Sequence, residues 1–264
     1  MVALKRWITP GAVVWILIGA AYFLIPLIAT LIFSLRDQTT GRCCTLANYE
    51  EIIDDPAFWT SMRVSFIVAL ETIVVSLALL VPTVYWVNLK LPRLRPVIGF
   101  LALVPFVVPP IVLVVGLFAV YQDSPDWFFA EPYGFLPAAY VILAFPYIYF
   151  SLDAGFRAID IHTLTEASQS LGAGWWTTIT RVILPNIRAA VVAGALLTIA
   201  IVLGEFTIAS LAVFDTFPTY VQYINQNKTY PAGAVTLLAF ALTWAAMVTV
   251  ALGGRRRTST MAGR

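Results

Sequence analysis

The chain has 264 residues, of which 60 % are apolar and 11 % are charged, and its formal net charge at neutral pH is +2. A soluble fold of this composition would expose a mostly apolar surface, so the composition excludes a soluble domain and indicates a membrane protein. The small basic excess gives no indication of a nucleic-acid partner.

Six apolar runs are each long enough to cross a bilayer as a helix, which takes about 20 residues. In chain order they are residues 7–35, 64–89, 96–122, 132–152, 189–214 and 232–254, with Glu71 inside the second run and Glu205 inside the fifth. They are continuous, unlike the alternating segments of about 10 residues in a membrane β-barrel. We therefore predict an all-α, polytopic protein with six transmembrane helices in a single membrane domain, residues 1–264.

The first run has a second interpretation. Lys5 and Arg6 precede it, as basic residues precede the apolar part of a secretory signal. The run is long, however, and has no Ala-x-Ala cleavage site, so we favour a retained helix.

The distribution of Lys and Arg predicts the orientation. With the N-terminus inside, twelve basic residues lie on the inner side: Lys5, Arg6, Lys90, Arg93, Arg95, Arg157, Arg181, Arg188, Arg255, Arg256, Arg257 and Arg264. Four lie on the outer side: Arg36, Arg42, Arg63 and Lys228. Because basic residues accumulate in cytoplasmic loops, we predict that both termini are cytoplasmic.

The sequence offers little for catalysis. Cys43 and Cys44 are adjacent in a predicted outer loop, and neighbouring cysteines pair with each other only with strain. We assign them no chemistry and leave free or intermolecular thiols open.

A phosphate loop, His-Glu-x-x-His and Gly-x-Ser-x-Gly are all absent, and the only histidine, His162, has no second imidazole to share a metal. We expect neither an enzyme nor a metal site.

The fourth and fifth runs are joined by a long polar loop, residues 153–188. Loops of this length are usually functional or disordered, and this one contains residues that typically start and end helices. Thr163 or Thr165 is predicted to cap a first helix, with Glu166 in its first turn. Gly172 or Gly174 is predicted to stop it.

A second short helix is predicted after these glycines. Apolar side chains recur from Trp175 to Ile183 at near-helical spacing, which suits a helix that rests its aromatic edge at the membrane interface. Pro185 is expected to end this helix or to begin the entry into the fifth span.

The loop resembles the Glu-Ala-Ala loop of the inner-membrane permease subunits of ATP-binding-cassette importers. In that loop Glu-Ala-Ala is followed by Gly after three positions and by Ile-x-Leu-Pro after nine more. The matching positions here are Glu166, Ala167, Ser168, Gly172, Val182, Leu184 and Pro185, with no gap in the spacing. Ser168 and Val182 each depart from the pattern by a small change.

The resemblance implies a bacterial inner-membrane permease with a five-helix core and an added first helix. It implies a coupling helix between the fourth and fifth spans that docks on a separate ATPase subunit. The residues assigned to this coupling are Glu166, Ala167, Ser168, Leu171, Gly172, Ala173, Leu184 and Pro185. Glu166 is expected to pair with a basic group of the ATPase or to cap its own helix. Leu184 and Pro185 are expected to be mainly structural.

The same resemblance implies the partners. They are a second permease subunit, identical or homologous, two ATPase subunits, an external solute-binding protein and the lipid bilayer. ATP and Mg are expected on the ATPase, and no cofactor is expected in this chain. The runner-up class is a channel or secondary transporter that works without ATP, but the sequence has no inverted repeat and few intramembrane charges. A membrane enzyme ranks third.

Two carboxylates inside predicted spans suggest a translocation path, because ionisable groups in a membrane usually face a pathway or a partner. We assign Glu205, its neighbour Phe206 and Glu71 to this path, where the carboxylates would favour a cationic or strongly hydrogen-bonding solute. Gly204-Glu205-Phe206 also permits a break in the helix. The alternative is that each carboxyl group is protonated or hydrogen-bonded and serves packing; for Glu71 we favour this structural reading.

The solute class follows only from the resemblance. Sugar-importing permeases commonly have Asp-Gly-Ala where this chain has Leu171-Gly172-Ala173. The present form looks more like the polyamine, ferric-ion, sulfate, thiamine and phosphonate branch, and residues 204–210 are similar to that branch as well. We rank a polyamine-like solute first, a ferric or other small ion second and a sugar third.

Overall fold

The computed structural model describes residues 10–256, so Lys5, Arg6 and the basic residues after Arg256 fall outside it. The chain is mostly helical, 83 %, and no β-strand occurs in the described part, which confirms the all-α prediction there. The α-helices are α1 (Pro10–Ser34), α2 (Ala47–Ile53), α3 (Pro56–Lys90), α4 (Arg95–Ala102), α5 (Val104–Val107), α6 (Pro110–Tyr121), α7 (Asp126–Phe129), α8 (Pro132–Arg157), α9 (Ile161–Ser170), α10 (Trp175–Thr177), α11 (Leu184–Asn186), α12 (Arg188–Gly204), α13 (Thr207–Leu211), α14 (Phe217–Asn227) and α15 (Thr229–Arg256). A π-helix, Thr178–Ile183, joins α10 to α11.

Four unbroken helices are long and apolar enough to cross a membrane: Val13–Ser34, Pro56–Lys90, Pro132–Arg157 and Thr229–Leu252. Two further segments qualify only as bent pairs: Pro92–Val107 with Pro110–Tyr121, bent by 99°, and Trp175–Asn186 with Arg188–Gly204, bent by 79°. Residues 10–256 therefore hold four candidate spans by length and composition, or up to six if each bent pair is one span. The count of six stays a prediction.

The third predicted span, residues 96–122, is not one straight helix. Val108 is extended, with φ −84° and ψ 116°, because the ring of the following proline disfavours the helical conformation. Pro110 then starts α6, where its missing N–H group costs no hydrogen bond. The segment qualifies as a span only as a bent pair, because the count of apolar residues gave no weight to proline, and its status as the third span stays a prediction.

The fifth predicted span, residues 189–214, is interrupted where the sequence permits a break. Helix α12 ends at Gly204, and Glu205 is extended, with φ −83° and ψ 114°. The chain becomes helical again only in the short α13. The break is therefore present, and a continuous helix to residue 214 is not.

The chain divides into two compact units, one drawn from Met1–Phe58 and Val221–Ala241 and the other from Trp59–Tyr220 and Leu242–Arg264. In the first unit, the buried Asn48 amide donates to the carbonyl oxygens of Ser34 and Arg36, both at 2.8 Å. The Ser34 carbonyl is one of those that a helix end leaves without an intrahelical partner. This contact fixes the loop after α1.

The same loop corrects the expectation for the cysteines. Cys43 and Cys44 form a disulfide with each other, so neither is a free or intermolecular thiol. Cys44 has a positive φ of 98°.

The second unit contains an apolar cluster that we call the coupling core. It joins α3 and α8 to residues of the long polar loop. Its buried members are Leu80, Val81, Val84, Tyr85, Ala102, Ala144, Ile148, Tyr149, Leu152, Phe156, Ile161, Ile179, Ile183 and Ile187. Helices α8 and α12 approach each other closely beside this cluster. The approach depends on Gly155, where a Cβ atom would overlap the Cβ of Ala190.

A second cluster in this unit surrounds the break between α12 and α13. Its buried members are Val68, Ala69, Val114, Phe135, Leu136, Ala139, Tyr140, Val202, Ile208 and Ala209. The break therefore lies in a packed apolar environment, where polar groups need partners from the chain itself.

Candidate functional site

The first helix of the polar loop, α9, begins one turn earlier than predicted. Asp160 caps it: Oδ1 accepts a hydrogen bond from the Thr163 amide at 3.1 Å, and Oδ2 accepts one from the Thr163 hydroxyl at 2.7 Å. These bonds lower the pKa of Asp160, the hydroxyl contributing most. The prediction of Thr163 or Thr165 as the cap was wrong, because the carboxylate of Asp160, three positions before Thr163, is the better capping acceptor. Glu166 consequently lies mid-helix.

Helix α9 ends in a Schellman motif. The Gly172 amide donates to the Gln169 carbonyl at 2.9 Å, and the Ala173 amide donates to the Ser168 carbonyl at 3.1 Å. Gly172 has φ +80°, a conformation that glycine adopts without the clash of a Cβ atom. The predicted stop at Gly172 is therefore present, and Gly174 instead precedes α10.

The side chains of this turn differ in exposure. Glu166 and Ala167 are exposed, and the apolar Leu171 is 88 % exposed at the tip of the turn. Ala173 is half-buried. Ser168, which the resemblance assigns to the coupling residues, is buried, and its hydroxyl lies 3.0 Å from that of Thr178. It ties the two short helices to each other.

The second helical stretch, Trp175–Asn186, lies where a short helix is predicted, but it is not a regular α-helix. Its middle turn is a π-helix, and Ile179 and Ile183 point into the coupling core. Leu184 is half-buried against that core and Pro185 is exposed one residue before the stretch ends. Pro185 has no amide hydrogen for the carbonyl one turn back, so a regular helix would be incomplete here.

We call residues 161–186 the coupling segment. Its inner side is fixed to a long helix of the bundle, because the Thr165 and Tyr85 hydroxyls lie 3.1 Å apart and both residues are buried. Sequence reasoning missed Tyr85. A hydroxyl-bearing residue near the end of an apolar run is the signal that was available.

A charged cluster lies where α8 leads into the coupling segment. The buried Asp153 accepts from Arg95 Nε at 2.8 Å and Arg95 Nη2 at 3.2 Å. Arg157 Nη2 lies 3.0 Å from Asp153 Oδ2. Asn88 Nδ2 donates weakly to Asp153 Oδ1 at 3.4 Å. The cluster joins α3, α4 and α8, and sequence analysis did not single out any of these residues as a site.

Glu205 lies at the helix break and is buried, with 9 % exposure. Its carboxylate accepts from the Ile208 amide at 2.9 Å and 3.1 Å and from the Tyr140 hydroxyl at 3.0 Å. The carboxylate thus supplies partners for orphan amides at the start of α13. Phe206, the next residue, is 40 % exposed.

Glu71 has a different environment. Its side chain is half-buried on α3, and Oε2 has no hydrogen-bond partner among residues 10–256. The structure does not join it to Glu205 by any described hydrogen bond. In the same part of the chain no group of His, Cys, Asp and Glu is arranged to hold a metal ion, and His162 is exposed.

The profile of one protein family, described as "Binding-protein-dependent transport system inner membrane component", matches residues 85–256. This match covers more than half of the chain, including the coupling segment and both sides of the helix break. The chain belongs to this family. It is a permease component of an ABC importer, a multi-pass membrane protein rather than a soluble subunit.

The permease is similar to permease subunits of two transporters whose names give different solutes. It is 28 % identical over 191 residues to a probable molybdenum ABC transporter permease protein of Haloferax volcanii, covering 70 % of this chain and 66 % of the relative. It is 26 % identical over 227 residues to the spermidine/putrescine transport system permease protein PotB of Escherichia coli, covering 78 % of this chain and 81 % of PotB.

A solved structure shares the fold of the permease. The match is to a chain of a bacterial ABC transporter involved in the import of the acidic polysaccharide alginate, with a TM-score of 0.69 and 14 % sequence identity. The alignment covers 96 % of this chain and 97 % of that chain.

Proposed function

We propose that this permease forms the solute path of its importer and receives movement from a separate ATPase through the coupling segment. The observation that carries the proposal is the two-sidedness of that segment. Its inner side is buried in the coupling core, whereas Glu166, Ala167 and Leu171 are exposed on its outer side. A docked partner would therefore push on side chains that are packed against α3 and α8.

The coupling proposal is tested at Leu171. Leu171→Asp places a charge where an apolar tip would enter a partner, so we expect the ATPase to be lost from the purified complex. Val213→Asp is the matched control, because Val213 is 87 % exposed outside the coupling segment. Equal amounts of ATPase retained by both variants would contradict the proposal.

The proposal includes the remaining partners. A second permease subunit, identical or homologous, would complete the path, two ATPases would bind ATP and Mg, and an external solute-binding protein would deliver the solute. The family description, with its dependence on a binding protein, supports this assembly. An ATPase acts in the cytoplasm, so the coupling segment and both termini would lie there, in accord with the excess of basic residues on that side.

For the solute we propose a cation of the polyamine type. The only charged residues within the six predicted spans are Glu71 and Glu205. The connections predicted to lie outside have nine acidic residues against four basic ones, a net charge of −5. Such a field attracts cations and repels an oxyanion of molybdenum. PotB, a spermidine/putrescine permease, is accordingly the more informative of the two relatives.

Uptake measurements separate the two solute classes. Cells that carry the complete transporter are given radiolabelled spermidine or molybdate, and we expect accumulation of spermidine alone. Accumulation of molybdate alone would contradict the proposal of a cationic solute but would not contradict the proposal of ATPase coupling. A chain that transports with no ATPase in its purified complex would instead favour the second class, a channel or secondary transporter.

A further inference from the structure

A cavity of about 360 Å³ lies between the start of α4 and the end of α8. Its lining includes Arg95, Gly99, Tyr149, Phe150, Asp153 and Arg157. We call it the basic pocket. It lies on the side of the bundle from which the chain enters the coupling segment, because Arg157 is the last residue of α8.

The basic pocket retains positive charge after its internal pairing. Two guanidinium groups share the single carboxylate of Asp153, whose side chain is 8 % exposed. An arginine has five N–H donors, and Arg95 and Arg157 use only some of theirs on Asp153, so donors remain for an anion. The side chain of Arg157 is 58 % exposed and reaches solvent from this pair.

The pairing also fixes the donors in place. Asp153 holds the Arg95 fork by two hydrogen bonds, and the Arg95 carbonyl accepts a longer one from the Tyr149 hydroxyl at 3.4 Å. Because the guanidinium group of Arg95 is already ordered, the binding of an anion costs less side-chain entropy here than at a free arginine.

The wall beside these charges is apolar. Phe150, which lines the pocket, is 41 % exposed, and on the neighbouring α4 Val97 is 54 % and Phe100 is 70 % exposed. A basic site next to an apolar helix face suits a molecule with a phosphate at one end and a hydrocarbon chain at the other.

We propose that the basic pocket binds the phosphate of an anionic membrane lipid, with its acyl chain along α4. A soluble phosphate would use the arginines but would leave the apolar wall uncovered. Basic pockets between membrane helices on the cytoplasmic side are a known type of lipid headgroup site. This proposal is independent of the solute, and it rests on the cytoplasmic location that is proposed above for the coupling segment.

The test is a titration of fluorescent phosphatidylglycerol into the full chain, purified in a neutral detergent with the subunits that accompany it. Arg157→Gln removes one pocket charge and leaves Asp153 paired with Arg95, and we expect about fivefold weaker binding. Arg93→Gln makes the same charge change outside the pocket lining, and we expect an effect below about twofold.

A second variant fills the pocket without changing its charge. A Cβ atom at Gly99 would meet only Tyr149, with its hydroxyl 3.8 Å away, so Gly99→Leu has room to project into the cavity. We expect it to reduce lipid binding as strongly as Arg157→Gln. If Arg157→Gln does not survive purification, Gly99→Leu decides the question alone.

Competitors identify the source of the phosphate. Phosphatidylglycerol vesicles should displace the fluorescent lipid, whereas phosphatidylcholine vesicles and soluble glycerol phosphate should not. Equal competition by phosphatidylcholine, displacement by glycerol phosphate, or equal effects of Arg93→Gln and Arg157→Gln would each overturn the proposal.

Discussion

The hydroxyl groups of Tyr85 on α3 and Thr165 on α9 lie 3.1 Å apart. Both residues are buried, and buried hydroxyls are costly to leave without a partner, so the pair fixes the position of α9 along α3. In the proposed mechanism a movement of α9 is passed to α3 through this contact and the apolar side chains around it.

Removal of the tyrosine hydroxyl should weaken coupling more than assembly. Tyr85→Phe leaves the Thr165 hydroxyl unpaired, at a cost of about 1–3 kcal/mol to the folded state. We expect ATP hydrolysis to continue while transport per ATP falls. The measurement is the ratio of solute uptake to ATP hydrolysis in reconstituted vesicles.

The control for this variant is Tyr223→Phe, which removes a hydroxyl from a tyrosine that is 58 % exposed. It should leave the ratio of uptake to hydrolysis unchanged. A Tyr85→Phe protein with the wild-type ratio would show that the Tyr85–Thr165 contact carries no movement.

The turn after α9 allows a closely matched pair of variants. Gly172 has φ +80° and Gly174 has φ −72°, and a Cβ atom at either residue would meet nothing within 4 Å. Gly172→Ala should therefore cost about 1–2 kcal/mol through the backbone alone. Gly174→Ala should be neutral or slightly stabilising.

The readout for both glycine variants is thermal unfolding of the purified complex together with the amount of ATPase retained. We expect a lower midpoint and weaker ATPase retention only for Gly172→Ala. Equal effects of the two substitutions would show that the left-handed conformation of the turn is unimportant.

The parts that sequence could predict are those governed by local chemistry. Gly172 stops α9 because a left-handed residue is needed there, and the break at Glu205 follows a glycine within an apolar run. Both signals lie within a few residues of their effect. The bend at Val108 was equally local, but the count of apolar residues gave no weight to the two prolines that follow.

The parts that sequence could not predict depend on contacts between distant residues. Asp153 and Arg95 are 58 positions apart, and Tyr85 and Thr165 are 80 apart. No local pattern pairs them, since each pairing follows from how the helices pack. Ser168 shows the same limit, because a small residue suits a partner surface and a tight internal contact equally well.

Acid should loosen the start of α9. The Thr163 hydroxyl and amide lower the folded-state pKa of Asp160 below its unfolded value, so the folded state binds its proton less readily. The stabilisation by this cap is complete above the unfolded pKa of about 3.9 and is lost as the pH falls through the folded pKa. The protection of the α9 amides against hydrogen exchange, measured relative to the intrinsic exchange rate at each pH, should therefore fall at acidic pH.

The variant Asp160→Asn isolates this effect, because asparagine retains a capping oxygen but has no titrating proton. Its α9 amides should show a smaller acid-dependent loss of protection than those of the wild type. The same loss of protection in both proteins would assign the acid sensitivity to another group.

Glu205→Gln tests whether the carboxylate at the helix break serves the solute path or only the fold. The glutamine oxygen can still accept from the Ile208 amide, and its amino group can donate to the Tyr140 hydroxyl, so the break should persist. The negative charge is lost, however. If Glu205 favours a cationic solute, uptake should fall by about tenfold while assembly is retained.

Tyr140→Phe is the companion variant, because it removes one hydrogen bond to Glu205 and keeps the charge. We expect it to lower the thermal midpoint of the complex and to leave most of the uptake. Full transport by Glu205→Gln would end the assignment of Glu205 to the path. A parallel loss of uptake and assembly in both variants would show that the carboxylate acts through packing, as the cap of α13.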